Sequence, residues 1–78
     1  MAQYVKIGTD IVNLAAITRV SFMDAQSGIS DRTLIDVGGA VVVVDSAIGG
    51  RARMEAIREK LLQVLDPEDW DAACAKSA

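Results

Sequence analysis

Residues 32–45 read RTLIDVGGAVVVVD. Gly38 and Gly39 separate two apolar runs. Type I′ turns need positive φ at both central positions, so a glycine pair placed this way predicts a two-residue β-hairpin. A tight turn sets Val37 opposite Ala40, Ile35 opposite Val42 and Thr33 opposite Val44. The other face then pairs Asp36 with Val41 and Leu34 with Val43. Successive side chains of a strand point to opposite faces, so a half-buried strand alternates apolar and polar residues. Val41 to Val44 do not alternate, and the hairpin is oily on both sides. One face can meet a helix of the same chain. The other needs a cover of its own.

The stretches around the hairpin supply the first cover. Residues 4–7, YVKI, alternate as a short strand, Gly8-Thr9-Asp10 reads as a turn, and Ile11-Val12-Asn13 as the returning strand. Asn13 is placed to cap a single helical turn over NLAAI, with a continuous strand through Ala15-Ala16 as the alternative. Thr18 to Asp24, TRVSFMD, is a strand with Val20 and Phe22 on one side and Arg19 and Ser21 on the other. The stretch AQSGISD that follows is a loop. From Arg51 the period changes: Met54, Ile57, Leu61, Val64 and Leu65 line one stripe of an amphipathic helix that ends before Pro67. Asp66, Pro67 and Glu68 read as the start of a second helix, with Asp66 as N-cap and Leu65 and Trp70 at the positions of a hydrophobic staple. Trp70, Ala73 and Cys74 fall on one face of it, where Cys74 reads as a small buried apolar residue.

The order predicts one α+β domain over residues 1–78: an antiparallel β-meander of four or five strands over about 3–45, packed by a C-terminal amphipathic helix and a short terminal helix over about 50–76. A chain of 78 residues buries only about 60% of its unfolded surface and gains stability from any added core. Cys74 is the only cysteine, so no disulfide closes within the chain. No apolar run approaches the ~20 residues that span a bilayer, and MAQYVKIGTD lacks the pattern of a secretory signal. These features predict a cytoplasmic protein that does not enter the membrane.

Composition narrows the chemistry. There is no histidine, which removes imidazole bases and imidazole metal ligands. Cys74 and the hydroxyl side chains then lack the base that a nucleophile needs. A zinc site cannot be drawn from one thiol and scattered carboxylates. No enzyme, metal or cofactor is expected. The net charge is −3 and the pI about 4.6, which disfavours nucleic acid as the main partner. Four of the eleven acids and one of the eight bases lie from Asp66 onward, leaving seven of each in the rest of the chain.

Three motifs carry candidate function. Ile35-Asp36-Val37-Gly38-Gly39 resembles the short acidic-Gly-Gly turn in the nucleotide site of actin-like ATPases and sugar kinases. That site needs two large domains and a second phosphate loop, for which this chain has no room, so the turn reads as a hairpin. Gly49-Gly50 before the long helix, with Arg51 and Arg53, has the make-up of an anion site at a helix start, although it is no Walker motif. Lys6, Arg19 and Arg32 would form a basic stripe if their strands were neighbours. With Tyr4 as a stacking ring, that stripe would suit single-stranded nucleic acid.

The second face of the hairpin decides the main reading. Either it is an ordinary face of singly exposed valines with Trp70 and the terminal helix folding over, or it is closed by a second copy of the chain, or by a different partner, either an unidentified protein or an apolar ligand. The chain reads as a non-catalytic interaction module that forms a homo-oligomer, with a dimer favoured and Leu34, Val41, Val43 and Trp70 at the interface. Nucleic-acid binding through Tyr4, Lys6, Arg19 and Arg32 is the alternative reading. Anion or small-ligand binding at Gly49, Gly50, Arg51 and Arg53 is the third.

Overall fold

The computed structural model describes residues 3–77, with side-chain surroundings given as far as Cys74. Strand β1 (Tyr4–Ile7) turns through Gly8 and Thr9 into β2 (Asp10–Asn13). A 3-10 turn (Leu14–Ala16) follows, capped by the Asn13 side chain, whose Oδ1 accepts the Ala15 N–H at 3.0 Å. Next come β3 (Ile17–Met23), β4 (Arg32–Val37) and β5 (Ala40–Asp45). Helix α1 (Arg51–Leu65) and the short α2 (Trp70–Ser77) close the chain. The fold is a small α+β arrangement.

All pairings are antiparallel, and the strands divide between two sheets. β1 and β2 form a two-stranded ribbon, whereas β3, β4 and β5 form a three-stranded sheet in that order. The 3-10 turn separates the sheets by breaking the ladder between Asn13 and Ile17. The glycine turn forms as its sequence predicts. Gly38 and Gly39 have φ of 56° and 87°, and the ladder pairs Val37 with Ala40, Ile35 with Val42 and Leu34 with Val43.

Helix α1 lies on the face made by Thr33, Ile35, Val42 and Val44. Ile35, Val44, Met54 and Leu61 form the core there, joined by Ile7 and Val12 from the ribbon. Ile57, on the predicted stripe, packs against this cluster. Arg58 turns inward from the same helix. Its guanidinium donates to the Thr33 hydroxyl at 2.7 Å, to the Arg32 carbonyl at 2.8 Å and to the Met23 carbonyl at 3.1 Å. It also stands 4.9 Å from the centre of the Phe22 ring. A cation on an aromatic face adds to that anchorage.

The terminal helix departs from expectation at its start. Asp66 adopts the left-handed conformation (φ 45°, ψ 56°) and closes α1, its N–H donating to the Leu62 carbonyl. A residue so placed cannot also hold the extended backbone of an N-cap. The cap passes to Asp69, whose carboxylate accepts the Ala72 N–H at 3.0 Å. The helix therefore begins at Trp70, and Pro67 and Glu68 belong to the connection. Ala73 and Cys74 are exposed, so the face predicted to bury them does not.

Candidate functional site

The face of the three-stranded sheet opposite α1 is built by the alternation of its strands. β4 contributes Arg32, Leu34 and Asp36; β5 contributes Val41, Val43 and Asp45; β3 contributes Arg19, Ser21 and Met23. Leu34 sits at the centre, flanked by Ser21 on one side and Val43 on the other. Val41 and Val43 remain 55% and 52% exposed and Met23 43%. Leu34, hemmed in by both neighbouring strands, is half-buried.

Charges frame this apolar centre. Toward the glycine turn, Arg19 stands opposite Asp36. At the other end, Arg32 lies 3.9 Å from Asp45. Asp45 is held from several directions. The Ser30 hydroxyl and the Ala47 N–H both donate to it. Those hydrogen bonds, with Arg32 nearby, hold its carboxyl below the usual carboxylate range. An apolar centre inside a polar rim is the general anatomy of a protein–protein interface.

Trp70 does not join this face. It is 73% exposed and borders a groove with Val20, Phe22, Leu62 and Pro67, on the helix side of the sheet. A neighbouring groove of about 420 Å³ runs between β3 and the end of α1, lined by Ile17, Val20, Phe22, Leu61, Leu62 and Leu65 among others. The four residues predicted as an interface thus fall on two sides of the molecule.

The basic residues are divided too. Tyr4 and Lys6 are exposed on β1, in the ribbon, while Arg19 and Arg32 lie on the three-stranded sheet. β1 is not a neighbour of β3 or β4, so the four do not share one sheet face as a stripe.

At the start of α1, Gly50 occupies the cap position with φ 92° and offers no side-chain cap. Arg51 is turned to acids of its own chain: its Nε lies 2.9 Å from Glu55 and 3.4 Å from Asp31. The hydrogen bond to Glu55 and the charge of Asp31 push its pKa further up. Arg53 folds back over Gly49, where an added Cβ would come within 3.0 Å of its Cδ. The two arginines point to different neighbours and do not converge on one anion.

Two structural residues went unread in the sequence. Asp31 is buried, accepts the Ala25 N–H and holds Arg51. Arg58 is the other, and its spacing carried the signal: it stands four residues after Met54 and three before Leu61, the two buried members of the stripe. Among the described residues, no group of three or more Cys, Asp or Glu side chains gathers as a metal site. No helix described is long and apolar enough to cross a membrane. No family model, curated protein or solved structure matches the chain.

Proposed function

We propose that the chain is a non-catalytic assembly module that works as a homodimer through the open face of its three-stranded sheet. One observation carries the reading: Val41 and Val43, more than half exposed, flank Leu34 in an apolar centre framed by charge. The extent of exposed surface supports it. The molecule exposes 5756 Å², whereas a monomeric protein of 8.3 kDa exposes about 4,600 Å². The open sheet face shares that excess with Ile11, Ile48 and the uncovered Trp70. Removing Val41, Val43 and Leu34 from water adds about 1 kcal/mol each from their half-covered state. Against a domain stability of ~5 kcal/mol, that gain is large.

The non-catalytic part of the reading draws on composition, which offers no histidine and one exposed thiol without a base. A lone unpaired cysteine also suits the reducing interior of a cell, where we place the module. Sedimentation equilibrium at concentrations on the order of 10–100 µM tests the proposal. Twice 8.3 kDa is the expected mass. A monomer across that range overturns the reading.

A further inference from the structure

We infer that the outer edge of β5 is the seam of this assembly: a second copy of the chain lays its own β5 antiparallel against it, about a two-fold axis at Val42, and the two sheets become one of six strands. The inference rests on the self-association proposed above and adds the partner's geometry.

The phase of the ladder shows which backbone groups are free. A two-residue turn closed by Val37 and Ala40 makes that pair a hydrogen-bonded one, and bonded pairs then alternate along the strands. The Ser46 N–H donates to the Asp31 carbonyl at 2.9 Å, two steps beyond the Val44–Thr33 pair on the same ladder. Ala40, Val42 and Val44 therefore bond inward to β4. The N–H and C=O groups of Val41 and Val43 point outward, past the last strand of the sheet. Among the described residues, no hydrogen bond reaches them.

Sheet edges are usually guarded by a bulge, a charge or a proline. The opposite edge of this sheet has such guards. β3 is bulged between Ile17 and Arg19 and carries the exposed Arg19. β5 has none of them from Ala40 to Val44: its register is unbroken and its side chains are alanine and valine. An edge of this kind is a template for another strand, and it is its own best complement. With the two-fold axis at Val42, Val41 of each copy faces Val43 of the other in a hydrogen-bonded pair. Val42 meets Val42 in a non-bonded pair. Leu34, Val41 and Val43 of both copies then line one continuous apolar strip.

The same register brings the partner's glycine turn to the Asp45 end of β5. A cleft of about 300 Å³ opens there, between the β1–β2 turn at Gly8, Thr9 and Asp10 and the β5 side at Val43, Asp45 and Ile48. A turn of two glycines brings no side chain into that cleft.

Two measurements test the seam. In a Cys74→Ser background, Val42→Cys should join two copies under oxidised glutathione, because non-bonded partners sit about 4.5 Å apart at Cα, within disulfide range. Leu34→Cys, three strand spacings from its copy across the seam, should not. In the unmodified protein, the Val41 and Val43 amides should exchange with solvent about 100-fold more slowly when concentrated than when diluted. A dimer whose Val41 and Val43 amides exchange freely overturns the seam and leaves self-association standing, as does cross-linking at Leu34 without cross-linking at Val42. A monomer at every concentration overturns both. The exchange measurement needs no variant, so it decides even if Val42→Cys fails to fold.

Discussion

The two faces of the β4–β5 hairpin are similar in sequence and opposite in fate. Ile35, Val42 and Val44 point toward α1, and Ile35 and Val44 are fully buried. Leu34, Val41 and Val43, one residue out of step, point away from it and stay partly or largely in water. Side-chain type does not separate the two sets, since valine and a branched six-carbon residue occur in both. What separates them is helix α1, whose Met54, Ile57 and Leu61 pack on one face and whose Arg58 is hydrogen-bonded to it.

The strongest way to break the comparison is Ile35→Ala. Truncating a wholly buried side chain costs about 2–5 kcal/mol, and urea denaturation should show that loss equally at low and high protein concentration. Arg58→Ala comes next. It leaves the Thr33 hydroxyl and the Arg32 and Met23 carbonyls without their donor, and should cost about 2 kcal/mol. Loss of near-ultraviolet dichroism with the strands retained would show a helix freed from its sheet. Val43→Asp should act on the other face only. Monomer stability should move by about 0.5 kcal/mol or less, while dissociation on dilution should sharpen at least about ten-fold. A fall in stability equal to that of Ile35→Ala would mean that the two faces are not different in kind.

Asp45→Asn gives the smallest effect. The folded pKa of Asp45 lies below its ordinary value of 3.8, so the unfolded chain takes up its proton first as pH falls. The stabilisation from this carboxylate is therefore complete above about pH 5 and fades as pH drops through the folded pKa. Denaturation midpoints measured from neutral pH down to pH 3 should slope less in the variant. An unchanged slope would remove Asp45 from the acid response.

Much of this contrast was legible beforehand. Gly38-Gly39 fixes the hairpin register, because a glycine pair readily takes the positive φ that a type I′ turn needs at both positions and register follows from the closure. The helix stripe through Met54, Ile57 and Leu61 and the stop before Pro67 were equally readable, since both depend on local spacing, whereas Leu65, at the end of the stripe, stays exposed. The split into two sheets was not: NLAAI admits either a helical turn or a strand, and the choice between them governs whether β2 and β3 are one ladder. The cap of α2 was misread because Asp66 answers to two demands, ending one helix and starting the next, and can adopt the backbone of only one. Tyr4, Lys6, Arg19 and Arg32 illustrate a different limit. Each is exposed or half-exposed on a strand, as read, but whether they form a stripe depends on sheet membership, which is a long-range property. Trp70 illustrates it again, landing beside Phe22 and not beside Val43.

The Arg58 anchor has one more consequence. Two of its three acceptors are main-chain carbonyls, of Met23 and Arg32, and every residue type supplies a carbonyl. The side chains at 23 and 32 lie on the open face. Substitution of either side chain changes the open face yet leaves in place the two carbonyls to which Arg58 donates, so the outer surface of the sheet and the mooring of the helix are chemically separable.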